Sequence, residues 1–353
     1  MTDLKRGVHT IAEIRSEPET WRKCFAELDR TGELRALDRN LQKGVEWIFV
    51  GCGSSYYVAL SAAATWTLLT GEPARALPAS EILLFPRLLT RPCQPVMISR
   101  SGQTTEAVEA AQYLERELRI ATLGVTCGEN TPLENVCAHA LRLSAADEKS
   151  TVMTRSFTSM LLALQALAAV RAGNQGFLDA VHALPAQTQA RLGQIEETIE
   201  TLVGSRQFAD YVFLGQGPFF GVAQESMLKV KEMSCSYGQC FHTLEFRHGP
   251  KAIVSPETLV TFFLSESGLA QEVAVLEEMK ALGGVTLAIV NSADAAVRRS
   301  ADYLVELSLA VPEAARPAAA VIPGQMLGFH TGIRKGFNPD EPRNLTRVVM
   351  LED

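Results

Sequence analysis

The chain states one strand-and-glycine turn twice, and the second statement carries different chemistry. Residues 47–53 read Trp-Ile-Phe-Val-Gly-Cys-Gly and residues 211–217 read Tyr-Val-Phe-Leu-Gly-Gln-Gly, 164 residues later. Ser99-Arg100-Ser101-Gly102 is echoed by Ser265-Glu266-Ser267-Gly268 at a distance of 166, and Leu143-Ser144 by Leu307-Ser308 at 164. Three landmarks at nearly constant spacing imply a tandem duplication. The period is far above the roughly 20–50 residues of solenoid repeats, so each unit is a domain. A length of 353 residues agrees, since about 150 residues per domain predicts two.

Within each unit short apolar runs alternate with helical patterns. The first unit reads as strand 45–51, helix 54–70, strand 95–99, helix 104–117, strand 120–126 and strand 140–144. The second reads as strand 210–215, helix 219–234, strand 258–264, helix 269–282, strand 285–290 and strand 303–308. That alternation predicts an α/β fold, a parallel sheet with helices on both faces. Pro18 opens a helix over about 19–29, residues 151–171 and 186–204 form helices that join the units, and residues 317–331 are helical.

Apolar content of 47% and charged content of 21% suit a folded soluble chain. A net charge of −7 without a long Lys/Arg run argues against nucleic acid as partner. Seven cysteines without a Cys-x-x-Cys pair read as free thiols, with no zinc site. The N-terminus shows no signal-peptide pattern, and Met160–Val170 is too short for the roughly 20 apolar residues of a membrane span. A cytoplasmic protein with no membrane partner is expected.

Ligands of an open parallel sheet bind beyond the carboxyl ends of its strands, so the residues after each strand matter most. Gly51-Cys52-Gly53-Ser54-Ser55 ends a strand and opens a helix, with Ser54 or Ser55 able to cap it and to bond an anion. A plain capped turn reads equally well there, and the third glycine of a dinucleotide motif is missing. Ser99-Arg100-Ser101-Gly102-Gln103-Thr104 says more: three hydroxyls, a guanidinium and the free N–H groups of a helix start converge on one point, as a phosphate requires. In the second unit Glu225, Lys229 and Glu232 share one helix face at i, i+4 and i+7, in the place where the first unit has its anion helix. His248, followed by Gly-Pro in the charged run Glu245–Lys251, reads as part of an exposed functional loop.

At these residues the chain resembles the sugar isomerase (SIS) domain family, above all its tandem members, such as the isomerase half of glucosamine-6-phosphate synthase and amino-sugar-6-phosphate deaminases or isomerases. The matching motifs are Cys52-Gly53-Ser54-Ser55, the Ser99–Thr104 loop, Glu148 with Phe157, Glu225-Ser-Met-Leu-Lys229-Val-Lys231-Glu232, His248-Gly249-Pro250 and Pro342-Arg343-Asn344-Leu345. The resemblance implies two SIS domains, each a three-layer αβα sandwich on a flavodoxin-like, mainly five-stranded parallel sheet. The expected organisation is an N-terminal helical segment 1–35, a phosphate-binding domain 36–172, a linking helix and catalytic domain 173–335, and a tail 336–353 over the active site. It implies that Ser55, Ser99, Arg100, Ser101 and Thr104 hold a sugar phosphate, with Ser54, Thr151, Thr346 and Arg347 as further contacts. It implies that Glu232 moves a proton between C1 and C2, beside Lys229 and Glu225, and that His248 assists ring opening from a neighbouring subunit of a homodimer.

This sequence also departs from the synthase pattern. It begins Met1-Thr2 without a glutaminase domain, so glutamine is not the expected nitrogen source. The lysine that follows Pro-Arg-Asn-Leu-x in the synthase is Arg347 here, a poor candidate for a Schiff base. Arg100 replaces a neutral residue and Met153 a hydroxyl. The expected activity is release of ammonia from an aminohexose 6-phosphate to give a ketohexose 6-phosphate, without metal or cofactor. A deglycase of a phosphorylated Amadori adduct and a non-catalytic sugar-phosphate sensor are the alternatives.

Overall fold

The computed structural model describes residues 6–89 and 91–350, in two compact units. The first takes Ser16–Glu148, Met153–Pro185 and the tail from Thr346. Its sheet holds β1 (Glu46–Gly51), β2 (Ala74–Pro78), β3 (Cys93–Ile98), β4 (Leu123–Thr126) and β5 (His139–Arg142), in the order β2-β1-β3-β4-β5. Every pairing is parallel. The second unit takes the chain up to Arg15, Lys149–Val152 and Ala186–Leu345. It holds β6 (Asp210–Gly215), β7 (Tyr237–His242), β8 (Thr258–Phe263), β9 (Val285–Val290) and β10 (Tyr303–Glu306), in the order β10-β9-β8-β6-β7 and again all parallel.

Read from the other edge, the second order is the first one repeated: both sheets are doubly wound 2-1-3-4-5 sheets. The central strands β3, β4 and β8 are buried along their whole length, because helices cover both faces. That is why Pro95-Val96-Met97-Ile98 and Leu259-Val260-Thr261-Phe262 show no polar alternation. The duplication also holds in the backbone. Gly53 has φ 54° and ψ −127°, and Gly217 has φ 52° and ψ −128°. Only glycine occupies that region without strain, so the same turn carries each sheet into its first helix, Ser54–Thr70 and Pro218–Ser234.

The edge strands β2 and β7 were not expected from the sequence. Ala74–Pro78 has no β-branched residue and is only half-buried, while Tyr237–His242 contains Gly238 and Gln239. Parallel pairing with β1 and β6 recruits them despite their weak propensity. The helix expected over 186–204 is two helices, Gln175–Gln189 and Leu192–Ser205. Among the described residues no helix is long and apolar enough to cross a membrane.

Candidate active site

In the first unit the turn after β3 lies beside the turn after β1, at the point where strand order reverses. Ser99 Oγ and Thr104 Oγ1 are 3.1 Å apart, and Ser99 Oγ also accepts the N–H of Gly102 at 3.2 Å. The hydroxyls at the two ends of the loop therefore face each other at the start of helix Thr105–Gln112, the positive end of its dipole. Ser101 Oγ accepts the N–H of Gln103, and Ser54 and Ser55 are buried at the start of the first helix, with Ser55 Oγ 4.0 Å from Met153 Sδ.

Arg100 is buried, and its guanidinium is already committed. It lies 3.7 Å from a Glu148 oxygen and donates to the carbonyl of Arg347 at 2.5 Å. Glu148 in turn accepts from the N–H and hydroxyl of Thr154 at 2.7 and 2.6 Å, from the N–H of Ser156 at 3.2 Å and from the Ser156 hydroxyl. It thus gathers the donors at the start of helix Arg155–Arg171 and sets a negative charge behind the loop's one cation. The tail reaches the same loop, the Val349 carbonyl accepting the N–H of Thr105 at 3.4 Å. The Arg347 side chain pairs with Asp147 at 2.7 Å, and the Thr346 hydroxyl donates to the Val348 carbonyl.

In the second unit the expected row of three ionisable residues is present. Lys229 is fully buried, with Nζ 3.1 Å from Glu225 and 2.5 Å from Glu232. Glu225 is also fully buried, whereas the Glu232 side chain retains 17% exposure. Burial alone would lower the pKa of the ammonium, but the two carboxylates outweigh it and hold Lys229 above its ordinary value. Lys229 stays charged, and it fixes one oxygen of the only partly exposed carboxylate in the row.

The neighbouring helix Ile322–Arg334 brings three glycines four residues apart against this row. A Cβ on Gly324 would lie 2.0 Å from Ser226 Oγ, one on Gly328 2.7 Å from the Lys229 carbonyl oxygen, and one on Gly332 2.3 Å from the Met233 carbonyl oxygen. This close approach was missed in the sequence, although the spacing Gly324-x-x-x-Gly328-x-x-x-Gly332 is its signal. Gly328→Ala is expected to lower stability by about 1–2 kcal/mol in a denaturant titration. The clash with fixed backbone costs ~1–3 kcal/mol, and helix propensity returns at most ~1 kcal/mol.

His248 is exposed, between two single turns, Glu245–Arg247 and Pro250–Ile253, and Gly249 after it has φ 123°. Arg247 and Lys251 on either side both pair with Glu278, at 2.7 and 2.5 Å, and so pin the loop. Thr151 is half-buried in the short segment Lys149–Val152, which belongs with the second unit. All seven cysteines are free, and burial pushes the Cys52 thiol up to about 11 and Cys137 to about 12. Glu196, Glu200 and His330 offer ligand atoms within 4.8 Å of one another, but Arg15 already bonds both oxygens of Glu196, at 2.6 and 3.0 Å.

These features define a duplicated doubly wound α/β protein whose halves have kept one backbone and diverged in chemistry. The SIS domain model matches residues 41–170 and 210–329, most of both units, and the chain belongs to the SIS domain family. It is 25% identical over 344 residues to the glutamine–fructose-6-phosphate aminotransferase (isomerizing) of Methanothermobacter thermautotrophicus, and 28% identical over 354 residues to that of Pyrobaculum aerophilum. Each alignment covers 97% of this chain and 57% of the relative, so the chain spans little more than half the length of these curated proteins. Among solved structures, glucosamine-6-phosphate deaminase of Thermotoga maritima aligns with a TM-score of 0.79 at 29% identity, over 97% of this chain and 99% of that one. Tagatose-6-phosphate ketose/aldose isomerase of Escherichia coli aligns with a TM-score of 0.83 at 23% identity, over 98% and 96%, a likeness of fold.

Proposed function

We propose that the protein is a phosphosugar isomerase that deaminates an aminohexose 6-phosphate. The observation that carries this reading is the buried Glu225–Lys229–Glu232 row, which spends two buried groups on orienting one accessible carboxylate. Glu232 takes the C2 proton of the open-chain sugar, leaving an enolamine across C1 and C2, and returns the proton to C1. The nitrogen at C2 is then an iminium, which water converts to a ketone with loss of ammonia. A single carboxylate can shuttle one proton between two adjacent carbons of a held substrate. Ser99, Ser101, Thr104 and the start of helix Thr105–Gln112 supply the phosphate anchor, with Ser54, Ser55 and Thr151 as further sugar or phosphate contacts. Arg100, Thr346 and Arg347 complete it by exchanging the partners they now hold, Glu148 and the Arg347 carbonyl, the Val348 carbonyl, and Asp147, for the phosphate.

His248, exposed and flanked by pinned residues, is assigned to ring opening on the sugar of a partner subunit in a cytoplasmic homodimer. The extent of the alignment with the Thermotoga maritima deaminase supports the deaminating direction, as does Arg347 in the place of a lysine, since a guanidinium is a poor Schiff-base former. The test is ammonia release from glucosamine 6-phosphate and galactosamine 6-phosphate, after a thermal-shift screen of hexose and aminohexose 6-phosphates. Turnover of one of the two amino sugars is expected. Binding without ammonia release would overturn the deaminase and leave the deglycase of an Amadori adduct and the sensor, which turnover of a phosphorylated fructosamine separates.

A further inference from the structure

The loop after β8, the echo of the first unit's anion loop, has no part in the reading above. Its donors are taken by an acidic side chain of the same unit. Glu313 Oε1 accepts the N–H of Glu266 at 2.5 Å and that of Ser267 at 3.2 Å, while Oε2 accepts the Ser267 hydroxyl at 2.5 Å. Two successive N–H groups and a hydroxyl are a phosphate's usual partners, here held by a carboxylate. On the other side of the loop, Glu272 is fully buried and accepts the N–H and hydroxyl of Ser265 at 2.6 and 3.1 Å. The second Glu272 oxygen is buried without a hydrogen-bond partner. Burial pushes this carboxyl up to about 7, with the bonds from Ser265 opposing and the charge of Glu313 adding.

The charges of the two loops are reversed. The first loop presents Arg100 to Glu148; the second presents Glu266 to Arg316. Glu148 and Glu313 stand 165 residues apart, close to the repeat period. Glu148 spends its oxygens on Thr154 and Ser156, whereas Glu313 turns its own onto the loop. With Glu266 and Glu313 beside one Arg316, an incoming dianion meets a net negative wall and finds the loop's donors occupied.

We propose that Glu313 is a built-in substitute for phosphate, which closes the second loop from within, so that each chain takes one sugar phosphate and not two. The count of one rests on the phosphate-loop reading of the first unit; the plug does not. Inorganic phosphate binding to the full chain, followed by calorimetry, separates them. Wild type is expected to bind one phosphate per chain and Ser99→Ala/Thr104→Val none. Adding Glu266→Gln/Glu313→Ala to that double variant is expected to restore one site, since Arg316 Nη1 and the loop N–H groups are released together while Nε and Nη2 keep the guanidinium on the Val311 carbonyl. A folded quadruple variant that binds none, or a wild type that binds two, overturns the plug. A wild type that binds none, with a quadruple variant that binds one, removes the first-loop reading and leaves the plug standing. If the quadruple variant does not fold, amide exchange in Glu313→Ala alone decides. The Glu266 and Ser267 amides are expected to exchange at least tenfold faster than in wild type, and unchanged exchange overturns the proposal.

Discussion

Glu232→Gln is expected to reduce ammonia release from the amino-sugar phosphate by about 10³-fold, within the range of roughly 10²–10⁴ usual for a positioned general base. The substitution keeps the shape of the side chain and an oxygen for the Lys229 ammonium, which lies 2.5 Å from the carboxylate. It removes only the capacity to accept a proton. Binding of the phosphate should be nearly unchanged, because the Ser99–Thr104 loop is untouched, so the loss falls on kcat and not on KM. The direct readout is deuterium at C2 of the substrate: wild type passes it to C1 or to solvent, and the variant retains it. Full exchange by the variant would remove Glu232 from the proton path.

The second large effect is on stability. Lys229→Met is expected to cost about 3–5 kcal/mol in urea unfolding, because it leaves two carboxylates facing each other with their common cation gone. Glu225 is fully buried and suffers most. Adding Glu225→Gln should recover a large part of the loss, a coupling that independent sites would not show. The pH dependence follows from sign. Lys229 is held above the 10.5 of an ordinary lysine, so its contribution is complete below that value and is lost as pH rises through the folded pKa. Wild type should therefore keep this stabilisation throughout the neutral range. The variant should gain stability on acidification, as the two carboxylates that have lost the Lys229 ammonium take up protons. A variant as stable as wild type at neutral pH would show that the row is not a structural unit.

Much of this was legible in the sequence because the duplication carries it. Strand–turn–helix at Gly53 and Gly217, the loop at Ser99 and the i, i+4, i+7 row on helix Pro218–Ser234 are local patterns, and local patterns survive in one dimension. The edge strands were not legible by propensity, since pairing with a neighbour determines them. The repeat period would have found both, for Ala74 in β2 and Gly238 in β7 are again 164 apart. The commitment of Arg100 to Glu148 and to the Arg347 carbonyl was out of reach, because it joins residues 48 and 247 positions apart. The acidic plug at Glu313 was hidden for the same reason, 46 residues beyond Ser267.

Two near copies of one strand in a single chain create a hazard during synthesis, because β1 and β6 could each pair with strands meant for the other. Their apolar cores, Ile-Phe-Val and Val-Phe-Leu, barely differ; their first aromatic residues do. The Trp47 and Trp66 ring centroids lie 3.8 Å apart, tilted by 32°, with the Arg171 guanidinium 4.9 Å from the Trp47 ring. Arg171 is tied to Asp38 at 3.0 Å and to Glu72 at 3.3 Å. The equivalent Tyr211 meets Phe208 edge-on at 5.9 Å. In the wrong sheet β6 would set Tyr211 where Arg171 has the larger Trp47 indole, and β1 would set Trp47 against Phe208. The tryptophan–arginine cluster is the feature by which otherwise interchangeable strands differ, an address label written at the start of β1.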